Sequence, residues 1–450
     1  MPIARADGKP TKGFFVRMIT RDIALEDCIL DLIDNSVDAA WKQLGSKLMS
    51  LEDNQDLSLF TIMITASEDR FEISDNCGGI SLDDAVEYAF TFGRKEDDES
   101  EDFSIGVYGI GMKRAIFKIG KKISIVSTFS ENGTLSSFLV PVDVDEWLKR
   151  ADKTWDFDID ASDHLQAPGV QIRVSELNED TRMSFASPGF LQRLKRTVSR
   201  DYSLHLARGL NIVINNEIVR GWQLELLESD LFKALRHEYS ENTPNGLVRV
   251  EFLAGMAAEP LDDSNPDPQD RDEDRDGWYV VCNGRTVVAA DKTSLTGWGT
   301  DNWPKWHPQY YGFMGIVMFT SENAVLLPLT TTKRSVDTSS GVYRRALPTM
   351  REVSKAWIAY SYERKQSLDE ARAAEAAAAP VRLRNVPKYQ SVALPKYTPV
   401  PVEPSTTISY SMPKRRVKAL AEAYGNVNLP NREVGRRSFE DAYSDLVGED

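Results

Sequence analysis

Cysteine and histidine are scarce in this 450-residue chain, with three Cys and four His. Cys28, Cys77 and Cys282 stand far apart, which excludes a disulfide framework and a CxxC zinc site and fits a reducing compartment. Long apolar runs are missing as well. Nothing approaches the roughly 18 consecutive apolar residues of a membrane-spanning helix, and Met1 to Thr20 lacks the apolar stretch of a signal peptide. The expectation is a cytoplasmic protein with no membrane partner. Positive charge is in deficit: 54 Lys plus Arg against 69 Asp plus Glu give a net charge of −15. That balance excludes a general polyanion-coating protein and leaves room only for a local basic patch.

What is present suits packed globular domains. Hydrophobic residues make up 41% of the chain, too many for a disordered polypeptide. An apolar stripe at helical spacing runs through residues 14 to 45, with Ile29, Leu30, Leu32, Ile33 and Val37 interleaved with acids. Strand-like pieces follow at 59–65 and 70–74, a short helix at 83–90, a polar acidic loop at 93–104, a helix at 107–118, and strands at 122–128, 135–142 and 170–174. A second α/β domain is expected after a junction near 178–190. It has a helix at 191–208, strands at 210–214, 247–253, 278–282 and 315–319, and a long amphipathic helix at 342–364. Residues 257–276, rich in Asp and Pro, read as a solvated loop; they lack the turn glycine and closing Glu of an EF-hand. The predicted organisation is 1–180, 181–365, an Ala/Glu-rich then Pro-rich linker at 366–416, and a short helical tail at 417–450.

Three segments carry chemistry. In Asp31-Leu-Ile-Asp34-Asn35-Ser36-Val-Asp38, a helix puts Asp31, Asn35 and Asp38 at i, i+4 and i+7 on one face. A carboxylate one turn before an amide can hold a water and a hard cation together, and Mg²⁺ needs few protein oxygens beside phosphates. The same pattern also describes an acidic solvated face. Asp75-Asn-Cys-Gly78-Gly79-Ile follows a strand; an acceptor carboxylate beside glycines allows close approach to a flat ligand, or makes an ordinary turn. Gly106-Val-Tyr-Gly109-Ile-Gly111-Met-Lys113 enters a helix whose N–H groups can face phosphate. It is not a Walker A loop.

In this order and with these gaps, the three segments resemble the GHKL superfamily of ATPases: gyrase B subunits, MutL, MORC proteins, ninety-kilodalton heat-shock chaperones and histidine kinases. The resemblance covers roughly residues 14 to 178 and looks closest to the MORC and MutL branches, since Gly106 to Lys113 is like the MORC form of the glycine loop. It implies an α/β sandwich of the Bergerat type, with a mixed sheet and a lid at about 92–105. The cofactors it implies are ATP and Mg²⁺. Asn35 would hold Mg²⁺, with Asp38 nearby in the nucleotide site. Asp75 would accept from the adenine amine, Gly79 would give the base room, and Gly106, Gly109 and Gly111 would wrap the phosphates with Lys113 beside them. Asp31 stands where the superfamily usually has a catalytic Glu, one methylene longer. Cys77 replaces a glycine of the usual Asp-x-Gly-x-Gly, and Val170 stands after Gly169 where a Thr often supports the adenine-binding Asp.

A second match lies in the following domain. Leu327-Pro-Leu-Thr-Thr-Thr-Lys333-Arg334 resembles the transducer loop that brings a lysine to the γ-phosphate, and Trp278 to Arg285 resembles a transducer strand ending in an Asn-Gly turn. The resemblance implies a slow ATPase that forms an ATP-dependent homodimer and acts on DNA or with a partner nuclease, in a bacterial genome-defence or maintenance setting. A chaperone-like ATPase acting on protein clients and a weakly hydrolysing nucleotide-dependent scaffold are the alternatives. The basic arm Arg382 to Lys418 is a candidate DNA contact.

Overall fold

The computed structural model describes residues 10–45, 49–52, 54–91, 110–150, 155–261, 275–330, 332–397 and 406–448. The first apolar stripe resolves into two helices, α1 (Lys12–Arg21) and α2 (Leu25–Gln43). Thr11 caps α1, its hydroxyl accepting from the N–H of Phe14. In α2, Glu26 and Asp27 occupy the first turn, where acids complement the helix dipole, and the face from Cys28 to Trp41 is buried.

An eight-stranded sheet runs in the order β5-β4-β3-β6-β2-β1-β7-β8. Its strands are β1 (Thr61–Ala66), β2 (Arg70–Asp75), β3 (Gly120–Glu131), β4 (Thr134–Asp143), β5 (Asp160–Ala161), β6 (Gly169–Leu177), β7 (Asn211–Ile214) and β8 (Glu217–Ile218). Alternation sets which face is inside. Ile62, Ile64, Phe71, Ile73, Ile123, Ile125, Ile172 and Val174 belong to one buried cluster with α2 and the helix Gly111–Ile119. Every pairing is antiparallel except β1 with β7, where Ile62 lies opposite Ile212. The strand at 211–214, expected in the second domain, therefore completes the first sheet. Its buried Ile212 and Ile214 extend the same apolar face.

A five-stranded sheet follows, in the order β10-β11-β14-β12-β13. Besides the short β9 (Glu225–Glu228), the later strands are β10 (Leu235–Thr243), β11 (Gly246–Met256), β12 (Gly277–Cys282), β13 (Arg285–Asp291) and β14 (Phe313–Thr320). Every residue of β12 and β14 is buried. The reason is two-sided packing: Tyr279, Val281, Ile316 and Met318 join the cluster of the first sheet, while Trp278, Val280, Val317 and Phe319 join a second one with the helix Gly341–Arg364. The β12–β13 turn is Asn283-Gly284, both at positive φ, as a two-residue hairpin of the primed type requires.

The Pro-rich stretch is more ordered than a linker. After a separate helix Leu368–Ala376, β15 (Ala379–Arg382) pairs with β9. Val386 is buried, and Ala393 bridges to Lys233. Proline at 380 is compatible with this two-stranded ladder because it is all edge. Residues 1–398 make one compact unit and 399–450 another. In the latter the helices Lys414–Ala423 and Asn431–Val447 meet where the Tyr424 hydroxyl donates to Asp441.

Candidate functional site

The turn after β2 is built around Asp75. Ser36 of α2 donates its hydroxyl to Asp75 Oδ2 at 2.7 Å, and the N–H groups of Cys77 and Val170 donate to Oδ1 at 2.9 and 3.3 Å. Burial pushes the Asp75 carboxyl above its usual range, and these three donors pull against that rise. Position 170 thus supports Asp75 through its backbone N–H, while the valine side chain adds no donor. Ser36 was missed from the sequence; its place one residue past Asn35 gave no signal until β2 was known to end beside it.

Glycine is required here by space. At Gly79, with φ of 76°, a Cβ would lie 2.0 Å from the Thr128 carbonyl oxygen. At Gly169 it would lie 1.9 Å from the Asp75 carbonyl oxygen. The loop is clamped by Ser127, whose hydroxyl donates to the Ile80 carbonyl at 2.9 Å and accepts from the Ile80 N–H at 2.7 Å. A thin, rigid backbone wall results beside a buried carboxylate. Cys77 is buried in the same turn, and burial raises its thiol well above the ordinary value, so it is a packing residue and no nucleophile.

Along α2, the three polar positions part company. Asp31 is buried, Asn35 is exposed and Asp38 is half-buried. Asp31 is ion-paired to Arg114, at the start of the helix Gly111–Ile119, and its Oδ1 lies 3.2 Å from Lys333 Nζ. A Cβ on Gly111 would sit 3.4 Å from the Asp31 carboxyl, so that helix N-terminus passes close to the carboxylate. Lys113 is directed elsewhere: its ammonium donates to the carbonyls of Ala89 at 2.8 Å and Thr91 at 2.6 Å. Burial lowers its pKa to about 8. Gly106, Gly109 and the expected lid at 92–105 lie outside the described residues, as does Thr331.

Lys333 reaches the same place from the opposite end of the sequence. Its Nζ donates to Asp34 Oδ2 at 2.8 Å, and Asp34 is also ion-paired to Arg285 and accepts from the Tyr202 hydroxyl at 2.6 Å. Asp34 and Arg285 are 0% and 1% exposed, so this is a desolvated cluster. Burial pushes Asp34 upward, but Arg285 and Lys333 outweigh it and its pKa ends below the ordinary value. Burial likewise works against the charged form of Lys333, and Asp34 and Asp31 more than restore it. Lys333 also adopts a left-handed backbone with φ of 54°, a conformation uncommon for a side chain with a Cβ. Next to it, Arg334 is ion-paired to Asp27 and lies within 3.5 Å of Glu26 and 3.7 Å of Asp201. Sequence reasoning named Asp31 and Lys333 but missed Asp34, Arg114 and Tyr202.

The arrangement places a hydrogen-bonding carboxylate against a glycine-lined turn beside Ser36 of α2. Within two turns along the same helix, the buried Asp31 and Asp34 gather Arg114, Arg285 and Lys333 beside a helix N-terminus. Asn35 stands exposed on the same helix, the kind of oxygen donor a hard cation accepts. These residue types fit a nucleotide and its Mg²⁺. No helix among the described residues is long and apolar enough to cross a membrane.

Comparison with known proteins bears on the same region. A search of curated proteins found no match to the chain. The family model described as "Histidine kinase-, DNA gyrase B-, and HSP90-like ATPase" matches residues 23–163, which takes in α2, the Asp75 turn and the helix Gly111–Ile119. With its mixed sheet and helical cover, this N-terminal region is a domain of the GHKL ATPase superfamily.

Proposed function

We propose that the protein is an ATP-gated molecular switch: a slow ATPase in which ATP binding brings two protomers together, acting on DNA or with a DNA-processing partner such as a nuclease in genome defence or maintenance. The observation that carries the ATP-site reading is the Asp75 turn, a carboxylate held by Ser36, Cys77 and Val170 beside glycines that tolerate no Cβ. Asp75 would accept from the adenine amine, and the Gly79 backbone would lie along the base. Asn35 would hold Mg²⁺, which neutralises phosphate charge when bound, with Asp38 a turn further on. Gly111, with Gly106 and Gly109, would offer backbone N–H groups to the phosphates. Asp31 would orient and activate the attacking water as general base. Lys113, docked on the carbonyls of Ala89 and Thr91, would hold these residues beside the phosphate site.

Lys333 would be the γ-phosphate sensor. It already lies on two carboxylates of α2, so exchanging them for a phosphate would reorganise the junction between the two sheets. Such an exchange shifts a conformational equilibrium only by the difference in its contacts between the two states. The DNA part of the reading is supported by the likeness to MORC and MutL motifs and by basic side chains in the C-terminal unit. Lys414, Arg415, Arg416 and Lys418 are all exposed there. Lys388 of the same arm is engaged with Glu238 and Glu52 at 3.1 and 3.2 Å, so the arm's first half is committed to the fold.

Size exclusion with light scattering tests the switch, with no nucleotide, with ADP, and with a non-hydrolysable ATP analogue plus Mg²⁺. Dimers only with the analogue, absent in Asn35→Ala, are expected; an unchanged mass in all three conditions sinks the gating. A second reading, a nucleotide-bound scaffold with little hydrolysis, is favoured by the engagement of Asp31 with both Arg114 and Lys333. Measurable turnover abolished by Asp31→Asn decides against it.

A further inference from the structure

Behind the charge cluster, between the helix Pro188–Asp201 and the end of β13, the surface is hollowed by a cavity of 390 Å³. That is within the range of about 300–1,000 Å³ typical of small-molecule sites. Arg196, Arg200 and Lys292 line it together with Trp222, and the small residues Ala289 and Ala290 keep it open. None of the residues lining it is acidic. In a chain with a net charge of −15, a concavity walled by three cations is a local reversal of sign. Ala290 is held at φ of 49°, a left-handed conformation unusual for alanine, where β13 leaves its regular path. Strain of this kind persists only where the surroundings enforce it.

The cations differ in their engagements. Arg196 is exposed on its helix. Arg200 donates to Asp201 Oδ1 at 2.7 Å, and that carboxylate is buried on the side of Arg334. Lys292 has its ammonium 5.0 Å from the Trp306 ring centre and 4.8 Å from that of Tyr311, which fixes its position. The guanidinium of Arg275 lies 5.2 Å from the Trp222 ring centre. Cationic side chains set around an indole form the combination by which single-stranded nucleic acid is held: phosphates on the cations and a base on the aromatic face.

We infer that this pocket seats one nucleotide unit of a single strand of nucleic acid, with its phosphate on Arg196 and Arg200 and its base against Trp222. The inference gives the nucleic acid of the proposed function a definite surface; it rests on that reading only for the choice of DNA as the probe. The pocket also shares a wall with the nucleotide-site cluster. Thr197 donates its hydroxyl to Glu26, and both Glu26 and Asp201 neighbour Arg334.

The test is fluorescence anisotropy of the full chain with labelled oligo(dT), against duplex DNA of equal length and unlabelled dTMP as competitor. Arg196→Glu is the main variant, Arg196→Lys the rescue, and Lys355→Glu, an exposed lysine that does not line the pocket, the charge-matched control. Expected are oligo(dT) binding weakened about tenfold or more by Arg196→Glu and restored by lysine, with the slope of log K against log salt reduced by about 0.7 for each phosphate no longer neutralised. Equal weakening by Lys355→Glu, or wild-type affinity in Arg196→Glu, overturns the site while leaving DNA binding elsewhere intact. Competition by dTMP at the same concentration of nucleotide units as unlabelled oligo(dT) overturns the strand and makes the ligand a free nucleotide. No binding of any DNA overturns both the site and the DNA part of the proposed function, and nucleotide-dependent dimerisation then stands or falls separately.

Discussion

Replacing Asp34 with Asn should do more damage than any change to the residues named for catalysis. Asp34 is fully buried and has Arg285, Lys333 and Tyr202 around it. Loss of its charge leaves two cations desolvated without their principal counter-ion. Breaking a buried ion pair by removing one partner costs about 3–5 kcal/mol. Lys333→Met should cost less, about 1.5–3 kcal/mol, the range for a hydrogen bond to a charged group. In that variant Arg285 and Tyr202 still hold Asp34, and Arg114 still holds Asp31. In the double variant one of the two cations that suffered from Asp34→Asn is already gone. The two losses should therefore fall short of their sum by about 0.5–3 kcal/mol, as for residues in one network. Urea unfolding followed by far-UV circular dichroism and by tryptophan fluorescence gives the free energies, provided the two probes coincide. An Asp34→Asn cost below about 1 kcal/mol, or additivity of the two changes within about 0.5 kcal/mol, would contradict a coupled buried network.

Two pH dependences follow from the same geometry. In the proposed role the ionised Asp75 carboxylate accepts from an adenine amine more strongly than the neutral acid, and burial raises its pKa, so nucleotide affinity should fall as pH drops through a point above the ordinary carboxylate range. Asp75→Asn should bind weakly at every pH, and a wild-type affinity that is flat between pH 7 and 4 would contradict this role. Lys113 has its pKa lowered to about 8 from 10.5 by burial. The unfolded chain therefore binds its proton more readily than the folded one between those values, and the cost of burying the ammonium is present below pH 8 and relieved as pH rises towards 10.5. Stability measured against pH should rise more over this window in the wild type than in Lys113→Met; parallel curves would show that the ammonium is better solvated than its burial implies.

Much of the fold was legible because its periodicities are local. The stripe of α2, the alternation of β1 and β2 and the long amphipathic helix at 341–364 each declare themselves within a dozen residues. β10 and β13 were missed: Leu235–Thr243 alternates mostly polar residues, and Arg285–Asp291 opens on a charged residue that only a buried counter-ion makes acceptable inside. Residues 379–397 read as a linker because proline content carries no information about a neighbouring edge to pair with, and β9 supplies that edge far earlier in the chain, with Ala379 opposite Glu228.

The sequence by itself determined the family of the N-terminal domain, because glycines that must lie against backbone and a carboxylate that must be buried leave fixed residue types at fixed spacings. Asp31, Asn35, Asp75 and Gly79 were named because these motifs resemble those of the superfamily. Only the tertiary structure decided who meets whom. Ser36 and Val170 converge on Asp75 from different elements. Lys333 crosses 299 positions to reach Asp34, and β7 joins the first sheet rather than the second. These pairings are set by how two sheets share one apolar core, and the energy of a buried charge depends on all its neighbours at once, which no stretch of sequence contains.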